Sequence, residues 1–425
     1  MYCFLWILYK ELHHINKKTT INSQAGDFIF PVKTRKLNLP FTVMIKSRGR
    51  ILQVTADKAL RIAPGKRLVC SGMFDDKPVV MKFFLNSMRT GHYYKKELNG
   101  LKAMASSGIN TPGIVFYGRV EKGCERVIGL EQINPAQDMV AVLSEIDDDI
   151  EKYKSLQKKI IREIALLHNY GIKQDDLHLG NFLLSHDKIY TIDGDSVDTK
   201  KMGTPLPQGT SLKNLALFFS QFYPCFDNLI GASTEYYAQC RQWEASSSYL
   251  SSLLIELKRV RGKKEKKYLR KIFRECSEFV RHKSWNINFV CDRKAFDSGF
   301  SKIVKDLDSI REEGILLNFE KTFAIYKITI NNTLYVLKHY RKKSGALTAW
   351  RNAHMLKEQG VNILRPVLVM EKGFGPIFKE AYFIVKDTRD LKTIDYLKFF
   401  KELENRNLTL NIMKKSEEYT EKWKK

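Results

Sequence analysis

The sequence holds seven cysteines, none of them in a C-x-x-C pair, spread from Cys3 to Cys291. An odd number at wide spacing argues against a disulfide framework and against a zinc site, and predicts a reducing compartment. Long apolar runs are missing too. No stretch reaches the ~20 residues that a helix needs to span a bilayer. The apolar opening Met1 to Tyr9 is short, with no basic region before it and no small-residue cleavage site after it, so no signal peptide is expected. Acidic residues are scarce beside basic ones, 47 against 72, which gives a formal net charge of +25. An excess of that size implies an anionic partner: nucleic acid, an anionic membrane surface or a phosphorylated glycolipid. No aromatic stacking motif accompanies the charge, so nucleic acid is not expected. With 44% hydrophobic residues and few prolines, 425 residues suffice for two or three domains with sizeable cores.

What is present centres on Gly171 to Asp195, GIKQDDLHLGNFLLSHDKIYTIDGD. Asp176 and Asn181 stand five apart. Phe182-Leu183-Leu184 reads as a buried strand, Asp187-Lys188 as a turn and Ile189 to Ile192 as a returning strand, which predicts a hairpin with Asp193 at its exit. Phosphoryl transfer requires such residues: one carboxylate to orient a hydroxyl and take its proton, and a second carboxylate with an amide to hold magnesium through hard oxygen atoms. A solvated loop rich in turn formers would explain the residue types. It would not explain their position after the helix read over Tyr153 to Tyr170 and before a hairpin closed by Ile-Asp-Gly-Asp.

Asp176-Leu177-His178-Leu179-Gly180-Asn181 with Ile192-Asp193 resembles the protein-kinase-like superfamily, in the form used by its small-molecule and sugar kinases. Together with the repeat described below, the chain most resembles the bacterial lipopolysaccharide kinase family, which includes the heptose and Kdo kinases. It departs in one place: many members have His two residues before the catalytic Asp, where this chain has Gln174 followed by Asp175. The resemblance implies an α+β, bilobal protein-kinase-like fold, with a small antiparallel-sheet N-lobe and a mostly helical C-lobe. It also implies ATP and Mg2+ as cofactors, Asp176 as catalytic base, and Asn181 and Asp193 as magnesium ligands. Lys82, in the strand Val79 to Phe84, would meet the nucleotide phosphates, and Glu97, on a helix read over His92 to Ser107, would pair with it. A surface lysine and a solvated glutamate beside Lys95 and Lys96 are the alternatives. No G-x-G-x-x-G precedes Lys82; Ala63 to Lys66 is the only candidate phosphate-covering turn. Glu131 to Asp138 resembles a hinge.

The chain also repeats itself. Tyr335 to Tyr340, with Lys338, matches Val79 to Phe84, with Lys82; Gly-Ile-Asn at 108 to 110 recurs as Gly-Val-Asn at 360 to 362, and Glu-Lys-Gly at 121 to 123 recurs at 371 to 373. The helix Ala349-Trp350-Arg351-Asn352-Ala353-His354-Met355-Leu356 resembles the heptose kinases. In this copy Ala349 stands where Glu97 stands in the first, and no D-x-x-x-x-N follows. The expected organisation is a mobile N-terminal extension over 1–45 and a kinase-like domain over 46–290, with its N-lobe to about 133 and its C-lobe from about 138. An incomplete N-lobe-like repeat over 291–390 and a charged helical tail over 391–425 follow. A basic helix over Leu250 to Arg281 is the candidate contact for anionic lipid or sugar phosphate. The expected function is an ATP-dependent kinase acting on a sugar hydroxyl of the lipopolysaccharide inner core. It would be cytoplasmic, with peripheral association at the inner face of the inner membrane. A small-molecule kinase of the aminoglycoside or choline type, and a catalytically weak pseudokinase acting as a binding protein, are the competing expectations.

Overall fold

The computed structural model describes residues 37–404 except 64, 86–88, 122, 124, 147–148, 245, 342–344, 362, 375–376 and 387–395. Most of the expected extension over 1–45, and most of the tail, therefore lie outside the described residues. Two compact units divide the chain: residues 37–221 with 229–257, and residues 222–228 with 258–404. The division falls at Leu257/Lys258, inside a helix, whereas the sequence reading sets it at 290/291.

The first unit begins with a strand whose first five residues fall in the expected mobile extension. β1 (Phe41–Ser47) alternates buried and exposed residues along its whole length. Its period-2 pattern buries Phe41, Val43 and Ile45 and turns Thr42, Met44 and Lys46 outward. That pattern is short and flanked by polar sequence, which hides it. β2 (Arg50–Ala63), β3 (Arg67–Phe74) and β4 (Lys77–Phe84) follow, then α1 (Thr90–Ser106), β5 (Ile114–Val120) and β6 (Arg126–Glu131). The small antiparallel sheet closes into a barrel in the order β1-β2-β3-β4-β6-β5. Leu68, Cys70, Val79, Met81, Phe83 and Val127 fill its interior. Closure removes both sheet edges.

Beyond the barrel come β7 (Gln137–Asp138), α2 (Met139–Glu145) and α3 (Ile150–Asn169). Asp138, in the expected hinge, caps α2 by accepting from the Val140 amide at 2.7 Å. α3 buries Leu156, Ile160, Ile161, Ile164 and Leu167 along one face. β8 (Lys173–Gln174), β9 (Phe182–Ser185), β10 (Lys188–Thr191) and β11 (Val197–Asp198) are short, and β9 and β10 form the predicted hairpin, Phe182 opposite Thr191. α4 (Gln208–Phe219), α5 (Ile230–Cys240) and the start of α6 (Ser247–Lys271) complete the unit.

The basic helix expected to reach Arg281 stops at Lys271. Residues Phe279–Lys283 instead form β12, paired with β13 (Ile287–Asp292). The density of basic residues mimics a solvated helix face there, while cross-strand pairing decides the conformation. Arg261 of the basic cluster is also not presented to a partner: its guanidinium takes both Asp227 carboxylate oxygens at 2.6 and 2.7 Å. Arg259, Lys263, Lys266, Lys267 and Arg270 remain exposed.

The second unit is built on one antiparallel seven-stranded sheet. After β13 come three short helices, α7 (Arg293–Ala295), α8 (Ser301–Ile303) and α9 (Leu307–Glu312), and then β14 (Ile315–Phe319), β15 (Phe323–Ile330), β16 (Thr333–Tyr340), α10 (Ala346–Glu358), β17 (Arg365–Phe374), β18 (Ile377–Lys386) and α11 (Tyr396–Leu403). The strand order is β12-β13-β17-β18-β16-β15-β14. One face packs Val336, Phe383 and Val385 against α10 and α11 through Trp350, Phe399 and Phe400. The other packs Leu337, Tyr382 and Ile384 against Phe300, Ile303 and Leu307.

Within the expected charged tail, α11 buries Phe399, Phe400 and Leu403, so its described part is amphipathic. Lys338 is fully buried on the same face, and its ammonium meets Glu404 at 2.5 Å. It also lies 3.9 Å from the centroid of the Phe323 ring. Glu404→Ala leaves that ammonium buried without its carboxylate, a change that costs about 3 kcal/mol. Hydrogen exchange of the β16 amides is then expected to quicken on the order of 100-fold, and an increase below about threefold would mean that water replaces the carboxylate.

Candidate functional site

The β3–β4 hairpin turns at Asp75 and Asp76, both with positive φ (46° and 57°), the geometry of a tight two-residue connection. Register then places Val69 opposite Lys82. Val79, Met81 and Phe83 point into the barrel, so Lys82 stands on its outer face. α1 crosses that face and buries Tyr94, Leu98, Leu101 and Met104. Glu97 shares this buried side and is 0% exposed, so the solvated alternative for Glu97 does not hold. Its carboxylate accepts from Lys82 Nζ at 2.5 Å, from the Asp195 amide at 3.0 Å and from the Gly194 amide at 3.3 Å. This approach needs glycine on both sides. A Cβ on Gly194 would lie 2.3 Å from the Glu97 carbonyl oxygen, and one on Gly100 would lie 2.1 Å from the Gly194 oxygen.

Asp193 leaves β10 with φ 74° and ψ 85°, a left-handed conformation that is costly for a residue with a Cβ. Its carboxylate lies 3.2 Å from Lys82 Nζ and 3.8 Å from the Arg67 guanidinium. Arg67, at the start of β3, is also ion-paired with Asp195. Charges thus alternate along the row Glu97, Lys82, Asp193, Arg67, Asp195. Burial opposes the charge on Lys82, but the Glu97 and Asp193 carboxylates outweigh it and raise its pKa. Burial likewise works against ionised Asp193, and Lys82 with Arg67 outweighs it, so its carboxyl sits below the usual range. Glu97 is pushed up by burial and by nearby Asp193, against the pull of Lys82.

The other two sequence candidates come from the loop before the hairpin. Asn181 is buried, and its side-chain Nδ2 donates to the Asp176 carbonyl at 2.8 Å. Its own carbonyl accepts from Ile192 N at 2.8 Å, which ties the loop to the residue preceding Asp193. The Asp176 side chain is 82% exposed, with His178 Nε2 at 3.9 Å. Lys82, Glu97 and Asp193 are therefore in direct contact, Asn181 joins them through the backbone, and Asp176 faces solvent.

Arg67, Asp195 and Asn214 escaped the sequence reading. Asn214, on α4, donates to the Gln174 carbonyl at 2.7 Å and lies 2.9 Å from His168 Nε2. His168 Nδ1 meets the Tyr237 hydroxyl at 2.6 Å, and Arg241 also donates to that hydroxyl at 2.7 Å. Gln174 spans the gap to β10 by donating from Nε2 to the Ile192 carbonyl at 3.4 Å. Asp195 had a visible signal in the Ile-Asp-Gly-Asp run. Arg67 and Asn214 had none, since each acts across more than 39 residues of sequence.

Among the described residues, Glu97, Asp193 and Asp195 bring carboxylate oxygens within 4.8 Å of one another. Glu97 is already committed to three donors, so Asp193 and Asp195 are the oxygens available to a cation. With its nitrogen engaged, Asn181 would offer its amide oxygen. A set of hard oxygens beside two cations suits magnesium carrying a polyphosphate.

Residues 87–215 match the model of the lipopolysaccharide kinase (Kdo/WaaP) family. That segment is similar to the family over about 30% of the chain. It contains Glu97, Asp176, Asn181 and Asp193, while Arg67 and Lys82 lie just before it and Ala349 to Leu356 lie outside it. A 3-deoxy-D-manno-octulosonic acid kinase from Vibrio parahaemolyticus is 29% identical over 111 residues, 25% of this chain and 45% of that protein. Its Vibrio vulnificus counterpart is 32% identical over 102 residues, 23% of this chain and 42% of that protein. The chain thus spans less than half the length of either relative. A solved structure of WaaP in complex with acyl carrier protein is 19% identical over 48% of this chain and 88% of that one, with a TM-score of 0.38. The Mycobacterium tuberculosis PknI kinase domain is 11% identical over 48% of this chain and 95% of that one, with a TM-score of 0.32. The family segment and the mixed strand and helix content give the first unit an α+β, kinase-like fold. No helix among the described residues is long and apolar enough to cross a membrane.

The support under the loop is pH-sensitive. Burial lowers the His168 pKa to about 3, with help from Arg241 and Lys173. The folded protein therefore favours neutral His168, and this contribution to stability is complete above about pH 6.5, the unfolded value. It is lost progressively as the pH falls towards about 3, at up to about 1.4 kcal/mol per unit. Thermal midpoints between pH 7 and pH 4 should fall less steeply in His168→Gln than in the wild type. Parallel slopes would mean that another group governs the loss.

Proposed function

We propose that this chain is an ATP-dependent kinase that phosphorylates a sugar hydroxyl of the lipopolysaccharide inner core. The carrying observation is the contact of Lys82 with both Glu97 and Asp193. Bound magnesium–ATP supplies the phosphoryl group. Lys82, fixed by Glu97, offers a positive charge to the phosphates. Asp193 and Asn181 provide the oxygens that hold the metal. The exposed Asp176 carboxylate orients the acceptor hydroxyl and takes its proton, and its exposure suits a bulky acceptor arriving from solvent. In this reading the barrel and the helical segment act as the two lobes of a kinase. The names of the Vibrio relatives favour 3-deoxy-D-manno-octulosonic acid over heptose as the acceptor. The net charge of +25 suits a phosphorylated glycolipid and peripheral attachment to the inner face of the inner membrane.

Calorimetry with ATP, with and without magnesium, tests the site. Metal-dependent binding is expected, with Lys82→Ala and Asp193→Ala weakening it more than about tenfold. Asp176→Asn should retain nucleotide affinity and lose on the order of 100-fold in phosphate transfer to core lipopolysaccharide. Absence of binding at millimolar ATP by a folded protein sinks the kinase reading.

A further inference from the structure

No G-x-G-x-x-G precedes Lys82, so the proposed nucleotide site lacks the usual glycine-rich loop. β2 passes into β3 with Ala63 directly opposite Arg67. The turn is closed by Lys66 N donating to the Ala63 carbonyl at 3.0 Å. That amide is consumed within the turn and is not available to a triphosphate. Any positive charge from this side must come from a side chain.

Arg67 is placed to supply it. It shares the outer face of the barrel with Val69 and Lys82, because Val69 and Lys82 are cross-strand partners. Its guanidinium lies 5.0 Å from the centroid of the Phe84 ring, its side chain is 18% exposed, and it stands between Asp193 and Asp195. The immediate cluster holds three carboxylates, Glu97, Asp193 and Asp195, against two cations, Lys82 and Arg67. One divalent cation at Asp193 and Asp195 would reverse that balance and compete with Arg67 for its carboxylate partner. A guanidinium released there is a planar, always charged fork that can take two phosphate oxygens at once.

Resting on the kinase reading above, we infer that Arg67 is a triphosphate-binding residue that substitutes for the missing glycine-rich loop, exchanging Asp195 for phosphate oxygens when magnesium–nucleotide binds. The rival account is structural: Arg67 only holds Asp195 in place.

Calorimetry of magnesium–ATP, magnesium–ADP and adenosine against wild type, Arg67→Met and Arg67→Lys separates the two. Thermal midpoints show whether each variant folds. Arg67→Met is expected to weaken ATP about 10- to 100-fold while adenosine binds as in the wild type. Arg67→Lys, which keeps the charge and loses the fork, should fall between them. Equal losses for ATP and adenosine, or ATP binding unchanged in a folded Arg67→Met, overturn the inference. Unchanged binding in Arg67→Met together with loss in Lys82→Ala overturns it while leaving the kinase reading intact. A wild type that binds no magnesium–ATP overturns both.

Discussion

A buried carboxylate organises the first unit. Glu97 has no access to water, and an ionised group in that position is tolerable only if its lone pairs are satisfied. It meets the demand with one ammonium and two backbone amides. These donors come from a barrel strand and from the turn after the hairpin, while Glu97 itself comes from α1. Three segments distant in sequence are thus brought to one point, and glycines 100 and 194 allow the backbones close enough for it. The conformation of Asp193 follows from this. The residue next to it donates its amide to Glu97, Lys82 holds its carboxylate, and the left-handed backbone is retained because the surroundings determine it on both sides.

The second unit faces the same electrostatic demand and answers it differently. Lys338 sits on β16 as Lys82 sits on β4, and a buried ammonium needs a carboxylate wherever the chain can supply one. The helix that follows offers Ala349 at the matching position, so the carboxylate arrives from beyond α11 as Glu404. Tyr340 donates its hydroxyl to the same oxygen at 2.7 Å. The balance differs accordingly. The Glu97 and Asp193 carboxylates outweigh the burial of Lys82 and raise its pKa, whereas at Lys338 burial, aided by Lys401, prevails over Glu404 and the more weakly acting Glu320 and lowers it. Phe323, Tyr340 and Phe400 ring the second ammonium, where Asp193 and Arg67 stand beside the first. The space that receives polar partners in one unit is filled with aromatic rings in the other.

How much of this could be read from the sequence depended on how local each signal was. The loop from Asp176 to Asn181 and the hairpin after it were legible because spacing and apolar alternation lie within 20 residues. Lys82 and Glu97 were legible as a strand lysine and a helix glutamate, but only packing separated Glu97 from its solvated alternative. β1 was lost because its three inward apolar residues, Phe41, Val43 and Ile45, stand in polar surroundings. β12 was misread because His282, Lys283 and Arg281 continue the basic character of α6, and nothing local indicates that β13 will pair with it. Arg67 and Asn214 contribute through contacts with distant segments, which no periodicity encodes.

The departure at Gln174 can be argued from the same contacts. Its main chain is held from both sides: β11 pairs with it in the sheet, and Asn214 donates to its carbonyl. The position of the loop that follows is therefore set by backbone contacts and by α4, not by the side chain at 174. What that side chain adds is one N–H to the Ile192 carbonyl, immediately before Asp193. A neutral imidazole and a primary amide can both make such a donation. Replacing one by the other keeps a link between the two loops and adds no charge to a cluster already poised between three acids and two bases. Among the described residues the Gln174 side-chain amide oxygen Oε1 is buried without a hydrogen-bond partner, a local cost that falls on the support of the loop and not on Asp176 itself.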